Sequence, residues 1–245
     1  MNNGLHPILT QKHVIKREVE TSLQRIEGSG LDDFIDELHQ RVLSARVRFP
    51  LLEYAGVLIY DSVDRSKHHS ITDRIQSLRT IGGNVVTGKI LQLQLGHDPG
   101  DSIAKAVGYI SQADSWHICD IIGERVFGCY LLDYPQRMLP KISRMLVSEN
   151  RWVIRALGAG AHYAIKKGLD QHSVYNVFDL LVSMAASKDK EIRQGIGWAA
   201  KTTAKFHPMI IEQNKFVLAD DDMVAGWFRR KIKIGLERHQ YAQGN

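Results

Sequence analysis

The chain has 245 residues, 44% of them hydrophobic and 24% charged, which is enough apolar material for a large core and excludes a disordered chain. Its 2 Cys, Cys119 and Cys129, are too few for a disulfide framework or for a zinc site without several histidines. No run approaches the roughly 18 apolar residues of a membrane span or carries the apolar stretch of a signal peptide, so a soluble, cytoplasmic protein is expected. The net charge of +5 is uneven: residues 1–150 hold 17 Lys/Arg and 18 Asp/Glu, residues 151–245 hold 15 and 9, so an anionic partner is expected at the C-terminal half.

With only 6 Pro and apolar residues recurring at three and four, helix is predicted nearly throughout, and no run of alternating strand residues stands out. The first stripe is Leu31, Phe34, Ile35, Leu38 and Val42, with Ser29 and Asp32 spaced as a capping pair. Similar stripes predict helices over about 50–63, 101–111, 115–130, 137–147, 150–167, 172–186, 190–206 and 222–236. Residues 64–100 are the least regular and read as an insertion or an atypical repeat with loops. The joints at Ser148-Glu149-Asn150 and Ser187-Lys188-Asp189 each open a helix that carries an aliphatic residue and then arginine, Arg155 or Arg193, at an offset of 38–39 residues. Helical-pair repeats have periods near 40, because one pair cannot bury its apolar face without its neighbours. The expected fold is therefore all-α, a single HEAT-like repeat domain over 1–245 whose second helices form a concave basic groove.

Two motifs are set aside. Gly83 to Lys89 matches the Gly-x4-Gly-Lys part of a phosphate loop, but Ile90 stands where a hydroxyl must reach magnesium and no strand precedes it. His68 and His69 are adjacent, not at metal-ligand spacing, and read as an exposed loop pair. The informative residues lie on three successive helices. Trp116 and Asp120 are four apart, on one face; Arg155 follows Trp116 by 39 residues, and Trp198 follows Arg155 by 43, so a repeat of one helical pair brings all four to the same groove. Each also has a plainer reading. Tryptophan in a helical repeat is often core, and Arg155 is often a salt bridge between helical pairs. Asp120, mid-helix beside Ile118, Ile121 and Ile122, is costly to bury unless paired, and a structural ion pair with Arg155 is the alternative account of it. Lys201 and Lys205, one turn apart beyond Trp198, read as a solvated face or as phosphate contacts.

Ser-Trp-x-x-x-Asp at 115–120, Asn-x-Trp-x-x-Arg at 150–155, and Ile-Arg-Gln-Gly-Ile-Gly-Trp at 192–198, followed by Lys201 and by Phe206-His207-Pro208, occur in order. Together with the basic Arg229-Arg230-Lys231 near the C-terminus, they make the chain resemble the AlkD-type alkylpurine DNA glycosylases, a HEAT-like family, from about Ser115 to Arg238. Residues 1–110 follow that family only in the order of helices and in the Arg48–Ala55 stretch, and His117 stands where relatives often carry a second aromatic. The resemblance implies hydrolysis of the N-glycosidic bond of cationic N3- or N7-alkylated purines in duplex DNA, leaving an abasic site without flipping the base, with no cofactor and no metal. It further implies that Asp120 faces the sugar, that Trp116 and Trp198 flank it, and that Arg155 clamps a phosphate. Arg193, Lys201, Lys205, Arg229, Arg230 and Lys231 are then further contacts to DNA. The partner is double-stranded DNA, no membrane is involved, and a monomer associated with the nucleoid when bound is expected. Two other readings stand beside it: a non-catalytic helical-repeat protein that binds distorted or branched DNA by shape, and a helical scaffold that binds protein on its concave face.

Overall fold

Helix starts in the computed structural model, which describes residues 8–243, fall where side chains satisfy the orphan backbone N–H groups. Asn150 Oδ1 accepts from the Trp152 and Val153 amides at 3.0 and 3.2 Å, and Asp189 Oδ1 accepts from the Glu191 and Ile192 amides at 2.8 and 3.0 Å. The two joints read from the sequence thus open helices through the same chemistry. Thr80 and Asp170 cap two others, and Pro50, Pro135 and Pro208 begin three more.

The chain, read from sequence as one repeat domain, divides into two compact units that meet in sequence at Asp98 and Pro99. The first holds strand β1 (Ile8–Leu9) and α1 (Lys12–Gly28), then α2 (Leu31–Leu38), which runs into a π-helical turn at His39–Leu43. Strand β2 (Arg46–Val47), α3 (Phe49–Ser62), α4 (His68–Ser77) and α5 (Ile81–Gln94) complete it. The strands pair in parallel, Ile8 with Arg46 and Leu9 with Val47, a short element the sequence did not predict. α1 packs on α2 and α3, and α5 on α3 and α4, around Ile15, Phe34, Leu38, Ile59, Ile75 and Ile90.

Three expectations for this unit are corrected. The N-cap of α2 is Gly30, with φ 101° and no side-chain capping bond, so Ser29 and Asp32 do not form a capping pair. Residues 64–100 are mostly helical: the phosphate-loop look-alike lies inside α5, where Gly82 packs against the Leu43 backbone and a Cβ there would come within 2.8 Å of the Leu43 carbonyl. His68 is not in an exposed loop. It begins α4 fully buried, its ring 4.5 Å from that of Tyr60 and its Nε2 3.1 and 3.0 Å from the Tyr60 and Val63 carbonyls.

The second unit runs through α6 (Pro99–Ser111), α7 (Trp116–Ile122), a π-helical turn at Gly123–Gly128, α8 (Cys129–Asp133), α9 (Pro135–Leu146) and α10 (Arg151–Lys166). α11 (Gln171–Val182), α12 (Lys190–Phe206), α13 (Pro208–Gln213), α14 (Lys215–Ala219) and α15 (Gly226–Gln243) follow. α10 packs on the 116–133 helical stretch on one side and on α12 on the other, and α12 packs in turn on α15; α9 packs on α8 and α11. The core holds Ile122, Phe127, Ile154, Leu157, Phe178, Ile196 and Phe228.

The row from α7 through α10 and α12 to α15 is closed by glycines at backbone contact. A Cβ on Gly123 would lie 2.6 Å from the Ala156 carbonyl oxygen. One on Gly195 would overlap the Arg155 carbonyl, and one on Gly235 the Lys201 carbonyl. The helix axes can approach this closely only without side chains at those points, and the approach sets the reach between the functional groups described next. Among the described residues no helix is long and apolar enough to cross a membrane.

Candidate active site

Asp120 lies on the second turn of α7, Arg155 on the second turn of α10 and Glu191 on the first turn of α12, three neighbours in the glycine-closed row. Arg155 donates from Nε to Asp120 Oδ1 at 2.8 Å and from Nη2 to Asp120 Oδ2 at 2.7 Å, a bidentate pair; its Nη1 donates to Glu191 Oε2 at 2.6 Å. The ion pair weighed in the sequence as the alternative for Asp120 is therefore present. Arg155 and Asp120 are both buried. Burial works against the charged guanidinium, but the hydrogen bonds and charge of Asp120, and then of Glu191, outweigh it and hold Arg155 above its ordinary range.

The three groups line a cavity of about 530 Å³ together with Trp116, Trp198, Lys190, Gln194, Lys201 and Lys231. Trp116 is 49% exposed, too much for a core tryptophan; its ring stacks on His117 at 3.8 Å and meets the Arg155 guanidinium at 5.8 Å. Trp198 stacks on His162 at 4.0 Å. Thr202 Oγ1 donates to the Trp198 carbonyl at 2.9 Å and lies 2.6 Å from His162 Nδ1. Burial first, then the charges of Lys166 and Lys201, push His162 down to about 4. Trp227, by contrast, is a structural tryptophan: it is buried and donates from Nε1 to the Ser187 carbonyl at 3.0 Å.

The basic residues singled out from the sequence divide. Lys201 and Lys231 line the cavity, and Lys205 lines a neighbouring hollow. Burial, then the charges of Arg238 and Lys231, hold Lys201 below the usual lysine range. Arg193 sits outside, its guanidinium 5.7 Å from the Trp227 ring. Arg229 is engaged by the Leu218 carbonyl at 3.3 Å and by the Asp221 carboxylate, and Arg230 is exposed.

Glu191, Lys190 and Gln194 were not singled out from the sequence. The signal was available: Glu191, Gln194, Trp198, Lys201 and Lys205 fall at i, i+3, i+7, i+10 and i+14, one face of α12. Burial and the charge of Asp120 push the Cys119 thiol up to about 12, which leaves it protonated and unreactive beside the site. Among the described residues no cluster of three or more His, Cys, Asp or Glu side chains could hold a metal ion.

The family model described as DNA alkylation repair enzyme matches residues 85–231, which include every residue that lines the cavity. No curated protein and no solved structure matches the chain.

Proposed function

The chain belongs to the DNA alkylation repair enzyme family, and on that premise we propose that it is a DNA glycosylase of the AlkD type, hydrolysing the N-glycosidic bond of N3- or N7-alkylated purines in duplex DNA. The observation that carries this reading is a carboxylate, Asp120, fixed by a bidentate arginine at a cavity flanked by two tryptophans.

An alkylated purine already bears the positive charge that makes it a leaving group, so one carboxylate suffices where glycoside hydrolases use two. Each Asp120 oxygen uses one lone pair on Arg155 and keeps another. The remaining pairs face the deoxyribose as its C1′ gains oxocarbenium character, and they orient the attacking water. Arg155 acts in this scheme on Asp120 and not on a phosphate, holding the carboxylate in place. Glu191 has a matching part. Arg155 alone would cancel the charge of Asp120, whereas with Glu191 on the far side of the guanidinium the trio carries one net negative charge against the sugar and base. Trp116 and Trp198 offer indole faces to the same cation, each worth about 0.5–2 kcal/mol. Lys190, Lys201 and Lys231 around the cavity receive backbone phosphates, with Arg193 and Arg230 extending the positive field.

The architecture supports the same reading. The successive pairs α6 with α7–α8, α9 with α10, α11 with α12, and α13–α14 with α15 read as HEAT-like repeats, whose second helices would carry the DNA-binding face of a monomer.

The test is single-turnover release of 7-methylguanine from a defined duplex by native protein and by Asp120→Asn, with duplex binding measured in parallel. Release by the native protein and none by the variant, with binding retained, is expected. Equal release by both removes Asp120 from the reaction. One observation favours a second reading: a carboxylate held by a bidentate arginine is also how a structural ion pair looks, and such a pair is compatible with a protein that binds distorted duplex without releasing the base. Tight duplex binding with no release by either protein would select that reading.

A further inference from the structure

Beside the Asp120 cavity lies a second hollow, of about 170 Å³, lined by His162, Lys166, Trp198, Lys201, Thr202, Lys205, Phe206 and Arg238. Four of the lining side chains are cations, none is a carboxylate, and the uncharged His162 forms part of the wall. The first cavity mixes cations with two carboxylates; this one offers positive charge alone. Its groups arise from three helices at regular spacing: His162 and Lys166 are four apart on α10, Lys201 and Lys205 four apart on α12, and Arg238 lies on α15. The ends of α12 and α15 are tied here, because His239 Nδ1 lies 2.8 Å from the Lys205 carbonyl. The cations are thus held together by packed helices and not by one mobile loop. Trp198 and Lys201 belong to both spaces.

We propose that this hollow is a phosphate subsite, which seats a single backbone phosphate of the strand whose modified nucleotide occupies the Asp120 cavity. Its volume is roughly that of five or six water molecules, room for one phosphate group with some of its hydration and no more. Because Trp198 and Lys201 line both spaces, the hollow is contiguous with the first cavity along α12, as neighbouring positions on one strand require. The subsite holds the strand by its charge while Trp198, stacked on His162, forms the wall between phosphate and sugar. Lys166 and Arg238 are the residues this adds to the duplex contacts. The assignment rests on the reading of the first cavity as a DNA site.

The signature of one shared phosphate is non-additivity. The salt dependence of duplex binding carries about 0.9 in the slope of log K against log salt for each phosphate neutralised, so cations that share one phosphate divide that amount between them. Unmodified duplex binding would be followed by fluorescence anisotropy, between about 50 and 200 mM salt, for the native protein, Lys166→Ala, Arg238→Ala and the double variant. Both positions are exposed, so neither change disturbs the core. Each single variant is expected to lower the slope by up to about 0.9, and the double variant by no more than about 0.9 in total. A loss of about 1.8 in the double variant would mean that each cation meets its own phosphate, and an unchanged slope would mean that none is met; either overturns the subsite. A second arm titrates the native protein with inorganic phosphate at matched ionic strength and follows tryptophan fluorescence, expecting a saturable change that the double variant lacks. Absence of that change in the native protein counts against a phosphate site. Saturable phosphate binding in a protein that binds no duplex at any salt would make a free phosphate ester the occupant, overturning the assignment to a strand together with the reading of the first cavity. Salt-dependent duplex binding with unaltered slopes in the variants would remove the subsite alone.

Discussion

Replacing Glu191 by Gln tests whether the second carboxylate contributes charge to the reaction. The change keeps a hydrogen-bond acceptor for Arg155 Nη1, 2.6 Å away in the native protein, and removes one negative charge. Asp120 then stands against Arg155 alone, and the trio becomes neutral. Glu191 is separated from the sugar by a guanidinium, two hydrogen bonds and Asp120, a path of roughly 11 Å; at an effective dielectric of about 20, one charge at that range is worth about 1.5 kcal/mol. The Glu191 side chain is 19% exposed, so solvent takes part of this, and a roughly 3- to 10-fold slower single-turnover release is the expected size. Binding of the duplex should hold or tighten, because a negative charge has left a surface that meets phosphates. Stability should change little, since Arg155 keeps its bidentate partner. Release at the native rate would refute the electrostatic role. A slower rate accompanied by an equal loss of duplex affinity or of urea stability would show that Glu191 matters only to the fold.

Three further outcomes follow from the same geometry. Arg155→Met leaves Asp120 and Glu191 buried or half-buried without their shared cation, and a loss of about 3–5 kcal/mol in urea denaturation is expected, well beyond that of Asp120→Asn, which leaves Arg155 on Glu191. Gly195→Ala puts a methyl into the Arg155 carbonyl, a backbone atom that cannot rotate away. The expected cost is about 1–3 kcal/mol, and base release should fall as well because α12 must move off α10; a variant as stable and as active as the native protein would contradict the close packing. His162, with its pKa at about 4 in the folded chain and about 6.5 when unfolded, contributes its full stability above pH 6.5; as pH falls from there to about 4 the unfolded chain takes up a proton that the folded chain refuses, and that stability is lost. Burial shifts His68 and His207 in the same direction, so the measurement is the difference in urea midpoint between native protein and His162→Gln over that window, where the variant should show the shallower acid decline.

Most helices of the second unit were legible because their apolar stripes are wide and their joints carry Asn150 and Asp189, residues that cap by a local rule; the short α13 and α14, of six and five residues, show no such stripe and were not predicted. α5 was not, because Gly82, Gly83 and Gly88 lower helix propensity at positions where the packing needs no side chain, and propensity cannot register a partner distant in sequence. α1 escaped notice for another reason: Ile15, Val19 and Ser22 are its buried residues, too narrow a stripe to stand out among so many charges. At the site, the spacing of Trp116, Asp120, Arg155 and Trp198 was enough to predict that they meet, and they line one cavity. What spacing could not show was the pairing within the group. Asp120 and Glu191 both lie within reach of Arg155, and which side chain takes the guanidinium is decided by a few ångströms of helix approach that only the folded chain defines.

The glycine contacts between α7, α10, α12 and α15 divide the labour between frame and furniture. At Gly123, Gly195 and Gly235 the gaps between these helices are set by main chain against main chain, so no rotamer enters the helix spacing at those points. The residues that face the cavity, Trp116, Gln194, Trp198 and Lys231 among them, are carried by that frame. A lineage can therefore change a lining residue such as Gln194, which has no part in the proposed reaction, while the scaffold that aims Asp120 stays the same. Change at the cavity rim comes easily to such a frame, and change in the seam does not.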